Sequence, residues 1–155
     1  MAIKAGDKAP LFTLHASDTS EVNLSDYAGK NLVVLFFPLA FTGTCTEELC
    51  TMRDALTGFN EMNTDVVAIS VDSPFTLAKF KESENLNFPL LSDFNKEVSR
   101  QYGSLYDTFA FGMEGVSKRS AFVVDTEGII RYAEVLESAG DLPNFTEVKK
   151  VLSAL

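Results

Sequence analysis

The stretch Phe37 to Arg53, FPLAFTGTCTEELCTMR, gathers most of the residues in this chain whose types and spacing can do chemistry. Cys45 follows a continuous apolar run and opens an amphipathic one, which places it in the first turn of a helix that starts where a buried strand ends. Unpaired backbone N–H groups and the positive end of the helix dipole favour a thiolate there, and the thiolate is the nucleophilic form of cysteine. Stabilising a thiolate also blunts its intrinsic reactivity, so fast attack on a polar bond needs donors that stabilise the departing oxyanion. The Thr42 hydroxyl, the first N–H groups of the helix and a guanidinium are groups of that kind. Each has an ordinary alternative: a cysteine at a helix start is often buried filler, and a threonine is often a turn or cap residue.

The elements that must position these residues follow from periodicity. Phe12 to Leu14 and Glu21 to Leu24 read as an N-terminal hairpin around the polar Ser17 to Ser20 tract, and Leu32 to Phe37 as a buried strand. Thr44 to Met62 reads as a helix, because Leu49, Met52, Leu56 and Phe59 recur at helical spacing. Val66 to Val71 is a second apolar strand, followed by a helix over Pro74 to Glu84 with Ser73 as its cap. Phe88 to Leu91 is a short strand and Asn95 to Tyr102 a short helix. Ser120 to Val124 and Ile129 to Glu134 pair around a Thr126-Glu127-Gly128 turn, and Asn144 to Leu152 is a closing helix. Strands that alternate with helices and then pair as a hairpin predict an α/β fold. A thioredoxin-like sandwich fits: a central mixed β-sheet flanked by helices, with an N-terminal β-hairpin.

Composition bounds the rest. The 155 residues, 46% hydrophobic, suffice for one core, so a single domain over residues 1–155 is expected. A formal charge of −9 with scattered acids argues against a nucleic-acid partner. The longest apolar run, Leu32 to Phe41, is broken by Pro38 and falls short of the ~20 residues of a membrane helix, so no membrane is expected. Met1 to Ala9 lacks a secretory core and a cytoplasmic location is expected, where the two cysteines are more often reactive or buried than a structural staple. His15 is the lone histidine, on the hairpin and away from both cysteines, so a metal site lacks ligands. No glycine-rich phosphate loop is present, and no cofactor is expected.

The residues around Cys45 resemble the peroxiredoxin signature, in which Pro, three residues, Thr or Ser, and two residues precede the Cys; Pro38, Thr42 and Cys45 match it. The resemblance extends through Pro10 and Phe12, Phe88 to Asp93 (FPLLSD) and Arg119 in RSAFVVDTEGIIRYAE, and is strongest to the AhpE subfamily through FFPLAFTG and FPLLSDF. It implies a thiol-dependent peroxidase acting on hydrogen peroxide and organic hydroperoxides. By the resemblance Cys45 is the nucleophile, Thr42 and Arg119 hold the peroxide oxygens, and Pro38 shields the thiolate from water. Glu48 and Arg53 stand where many members carry the same types, and are expected in a polar network that orients Arg119. Peroxiredoxins often pair through the face that bears their active-site loops, so a homodimer is expected. The aromatic tract Tyr106 to Met113 is a candidate for lining the peroxide entrance, meeting a second subunit or receiving the reductant.

Cys50 lies at the spacing of the Q-type peroxiredoxins, whose later cysteine resolves the sulfenic acid as an intramolecular disulfide. Many AhpE-type members lack it. On an intact helix, positions five apart sit ~140° around the axis and ~8.5 Å apart between Cα atoms. A disulfide tolerates less than ~7 Å. Resolution by Cys50 therefore requires the first turns of that helix to open. The alternative is a one-cysteine peroxidase reduced directly by an external thiol. Thioredoxin, a glutaredoxin-like protein or a low-molecular-weight thiol are the reductants expected. Rival readings are a general disulfide reductase, whose cysteines are normally separated by two residues rather than four, and a non-enzymatic binding or holdase module on the same fold.

Overall fold

The computed structural model describes residues 3–155, so the first two positions of the Met1 to Ala9 segment lie outside it. The chain forms β1 (Thr13–Ala16), β2 (Glu21–Asn23), β3 (Asn31–Phe36), α1 (Gly43–Asn60), β4 (Thr64–Ser70), α2 (Pro74–Glu84), β5 (Leu90–Ser92), α3 (Glu97–Gln101), β6 (Arg119–Val124), β7 (Ile130–Leu136) and α4 (Phe145–Ser153). Short 3-10 turns follow β2 and precede β6. The strands form one mixed sheet in the order β2-β1-β5-β4-β3-β6-β7. β3, β4 and β5 run parallel, whereas β6 lies antiparallel beside β3 and β7 antiparallel beside β6 at the sheet edge.

β3 lies at the centre because its continuous apolar run can be buried on both faces, as a parallel central strand requires. Successive side chains point to opposite faces. Val33, Leu35 and Phe37 pack with residues of α1, α2 and α4, while Leu32, Val34 and Phe36 pack with Phe12, Leu24, Val98 and Tyr102. On the second face Phe36, Tyr102 and Phe122 meet as tilted and edge-on ring pairs 5.2–5.9 Å apart. Tyr102 gives its buried hydroxyl a partner by donating to the Pro10 carbonyl at 2.8 Å.

Two boundaries differ from the expectation in an informative way. The hairpin begins at Thr13 rather than Phe12, because Phe12 is spent as a core side chain next to Leu24 and Tyr102. The hairpin also extends the sheet, with β1 pairing β5 through His15↔Ser92 and Ala16↔Leu91, so β5 starts at Leu90 beyond the Phe88-Pro89 corner. The helix α2 starts as read: Ser73 accepts from Thr76 N at 3.1 Å, with Pro74 in the first turn.

Candidate active site

The site forms at the carboxyl end of β3, where the chain leaves the sheet at Phe37 and enters α1 at Gly43. Asp72, just past β4, holds this connection: its Oδ2 accepts from Ala40 N at 2.8 Å and from the Ser70 hydroxyl at 2.7 Å. Phe41 adopts φ +67°, a left-handed conformation that is strained for a bulky residue, and its ring lies 5.1 Å from that of Phe80. Thr42 is the residue preceding α1, but its side chain does not cap the helix; the hydroxyl donates to the Leu39 carbonyl at 2.9 Å. Thr46 N is the first amide of α1 to find a helical acceptor, the Thr42 carbonyl at 2.9 Å. The N–H groups of residues 43–45 therefore remain aimed out of the helix start, beside the fully buried Cys45.

Arg119 reaches this point through strand register. It opens β6, one residue before Ser120, which pairs with Phe36, so it stands beside Phe37 and the exit from β3. Alternation puts Arg119, Ala121 and Val123 on one face, and the latter two share a core cluster with Cys45 and Leu49 of α1. The guanidinium is 1% exposed. Its Nη2 donates to Cys45 Sγ at 3.2 Å, its Nη1 to Glu48 Oε1 at 2.6 Å, and its Nε and Nη2 to the Ala139 carbonyl at 3.2 and 2.9 Å. Three acceptors from two segments, α1 and the loop after β7, thus fix one planar group.

Glu48 follows Cys45 by three positions, so both face Arg119 from the same side of α1. Glu48 is fully buried, and its Oε2 has no hydrogen-bond partner among the described residues. Burial pushes its carboxyl up to about 8, although the charge and hydrogen bond of Arg119 work against the rise. Arg119 is pushed up: burial works against its charge, and the negative ends of Glu48 and Cys45 outweigh it. Pro38 is buried at the strand exit, and with Thr42, Thr44, Arg119, Phe109 and Gly140 it lines a pocket of about 260 Å3 over the start of α1. Phe109 belongs to the aromatic tract, where the Tyr106 ring lies tilted against it with centroids 5.1 Å apart and the Tyr106 hydroxyl donates to the Glu137 carbonyl at 2.7 Å.

Two expected members lie elsewhere. Arg53 does not join the network around Arg119. It follows Glu48 by five positions and so turns ~140° away around α1. Its Nη1 donates to the Glu84 carbonyl at 2.6 Å and its Nε to Asp54 Oδ1 at 3.0 Å. Cys50 likewise faces α2, where its Sγ donates to Glu84 Oε2 at 3.6 Å. Both cysteines are free thiols on an unbroken α1. Asp72 and the Ala139 carbonyl escaped the sequence reading. A carboxylate two residues beyond a parallel strand is a weak signal for the first, and a backbone acceptor leaves none for the second.

The model of the AhpC/TSA family matches residues 5–133. The chain belongs to this family, that of the peroxiredoxins. It is 44% identical over 131 residues to a putative peroxiredoxin, Rv2521, of Mycobacterium tuberculosis, covering 83% of each chain. It is 39% identical over 132 residues to the peroxiredoxin Bcp of Escherichia coli, covering 84% of each. Among solved structures it resembles the peroxidoxin BcpB of Mycobacterium tuberculosis, with a TM-score of 0.83 and 31% identity over 97% of this chain and 95% of that one. A peroxiredoxin-like protein from Aquifex aeolicus gives a TM-score of 0.89 at 27% identity, covering 100% and 90%. The fold is therefore the thioredoxin-like α/β fold of peroxiredoxins, and the protein is a thiol-dependent peroxidase that takes a peroxide substrate and a thiol reductant. Among the described residues no helix is long and apolar enough to cross a membrane.

Proposed function

We propose that this peroxiredoxin, a single domain over residues 1–155, reduces hydrogen peroxide and organic hydroperoxides through Cys45, with Cys50 closing the cycle. The contact that carries the reading is Arg119 Nη2 on Cys45 Sγ at 3.2 Å, at a helix start whose first amides are unpaired. The Cys45 thiolate attacks one peroxide oxygen; the S–O bond forms as the O–O bond breaks, and the other oxygen leaves as hydroxide or alkoxide. The Arg119 guanidinium and the free amides stabilise that charge as it grows, which is where interaction energy accelerates the step. Thr42 spends its one O–H on Leu39, so its lone pairs accept from the peroxide hydroxyl and orient it. Pro38 and the burial of Cys45 keep bulk water off the thiolate and its sulfenic acid product. Glu48 acts through Arg119, holding the fork in the plane that reaches the sulfur.

The sulfenic acid of Cys45 is then attacked by Cys50, giving an intramolecular disulfide and water. Thioredoxin, a glutaredoxin-like protein or a low-molecular-weight thiol reduces it. Because both residues sit on one helix, this step requires the amino-terminal turns of α1 to open. The side on which Cys50 lies, against Glu84 and away from Arg119, favours a second reading in which an external thiol reduces Cys45 directly. Free thiols suit a cytoplasmic setting, and the exposed Phe41 and Phe111 beside the site suit a homodimer. Peroxide consumption with a dithiol reductant tests the nucleophile: Cys45→Ser is expected to abolish it, and equal rates in wild type and variant refute the assignment. Intact mass after one equivalent of peroxide tests the second step. A loss of two hydrogens supports the disulfide, and a stable gain of one oxygen excludes it.

A further inference from the structure

The two cysteines of α1 face groups of opposite charge. Cys45 has the Arg119 guanidinium against its sulfur, whereas Cys50 points at α2 and donates to the Glu84 carboxylate. Glu84 is the last residue of α2 and is held in place through its backbone: Arg53 Nη1 donates to its carbonyl at 2.6 Å, and Asn87 Nδ2 donates to the Arg53 carbonyl at 3.2 Å. Asn85 turns the chain away at φ +52°, in the left-handed conformation asparagine tolerates. The charged groups facing Cys50 are Arg53 and Asp54 from its own helix and Glu84 from α2. Burial pushes the Cys50 thiol up, Arg53 pulls it down, and the hydrogen bond and charge of Glu84 add to the rise. Arg53 is itself paired with Asp54 at 3.0 Å, which weakens its pull.

We propose that Glu84 is a positioning residue of the catalytic cycle: its carboxylate accepts the Cys50 S–H and keeps the second cysteine a thiol against α2, so that peroxide oxidises Cys45 and Cys50 attacks only after α1 opens. This rests on the reading of Cys50 as the resolving cysteine. A Cys50 thiolate in the resting protein competes for peroxide and itself climbs the oxidation ladder. Opening the first turns of α1 carries Cys50 off Glu84 and lets it ionise. Its thiolate then attacks the Cys45 sulfenic sulfur; the S–S bond forms, the S–O bond breaks, and the departing hydroxide takes up the proton that Cys50 released. Water is the only other product. The Arg53 and Asn87 contacts anchor α1 from residue 53 onward, so the opening is confined to the turns that carry the cysteines.

The test separates the role of Glu84 from that of Cys50. In a Cys45→Ser background, the rate of iodoacetamide alkylation against pH reads the ionisation of Cys50 alone. Adding Glu84→Gln, which keeps the shape and removes the charge, is expected to move that profile to lower pH and to raise the rate at neutral pH roughly three- to tenfold, the scale for one charge at a partly exposed site. In the same Cys45→Ser background, where no disulfide can form within the chain, hydrogen peroxide added in the presence of dimedone is expected to leave Cys50 essentially unlabelled with Glu84 present and to label it in Glu84→Gln. A profile that does not move, or Cys50 labelled equally with and without Glu84→Gln, overturns the proposal while leaving Cys50 free to resolve. Wild-type protein that keeps one added oxygen and never loses two hydrogens overturns the resolving role itself, and the purpose assigned to Glu84 with it.

Discussion

Arg119→Lys isolates what the guanidinium does beyond carrying charge. The fork donates at once to Cys45, Glu48 and Ala139, and an ammonium, a point charge on a flexible stem, cannot serve all three. If Arg119 stabilises the departing oxygen, loss of one aimed donor costs about 2.7–4 kcal/mol of transition-state stabilisation, or roughly 10²–10³ in the rate of oxidation by peroxide. The folded state should survive. The lost hydrogen bonds amount to about 1–3 kcal/mol, because a donor beside Glu48 is kept; Arg119→Ala instead leaves the fully buried, protonated Glu48 carboxyl with no partner and a void where the guanidinium lay, so the lysine is the better probe. The chain has no tryptophan, so oxidation is best followed by rapid quench with an alkylating agent and intact mass. In a Cys50→Ser background the same protein is alkylated with iodoacetamide, which reports thiolate reactivity without an O–O bond to break. The expected result is a peroxide rate lowered about 10²–10³-fold with alkylation changed less than about tenfold. Equal losses in both reactions refute the leaving-group role and reduce Arg119 to a counter-ion.

Other residues give sharper local tests. Thr42→Val removes the acceptor facing the pocket and the bond to Leu39; kcat/KM for peroxide is expected to fall on the order of 10²-fold, Thr42→Ser to restore most of it, and chemical denaturation to register a change of about 1 kcal/mol or less. Asp72→Ala frees Ala40 N and the Ser70 hydroxyl, so the peroxide rate should drop while far-UV circular dichroism stays that of the wild type. Glu48 sets a pH dependence of stability. Its folded value of about 8 lies above the ~4.3 of an unfolded glutamate, so the folded chain holds this proton more tightly. The contribution is complete below about pH 4 and is lost as pH rises through about 8, on the order of a few kcal/mol. Denaturant titrations across that window should show stability falling with pH in the wild type and a flatter profile in Glu48→Gln.

What the sequence made legible followed the range of the interactions. Pro38, Thr42 and Cys45 lie between the end of β3 and the first turn of α1, so their order along the chain is nearly their order in space; periodicity located that stretch, and the resemblance singled out Pro38. Glu48 was named through the family resemblance, and its place beside Cys45 follows from helix geometry, since three positions return to the same face. Arg53 was misplaced for the same geometric reason: proximity in sequence suggested the Arg119 network, but five positions past Glu48 point to α2. Arg119 was recoverable only through family resemblance, because its approach to Cys45 depends on the pairing of β6 with β3 across more than seventy residues. Asp72 and Ala139 depend on the same long-range closure and carry no motif. The difference has a chemical consequence. The locally encoded part of the site supplies a nucleophile and free amides at a helix start, which any helix-initial cysteine has. The groups that make the leaving oxygen's charge bearable, Arg119 and what orients it, arrive only when the sheet closes, so peroxidase activity should report tertiary integrity more stringently than thiol alkylation does.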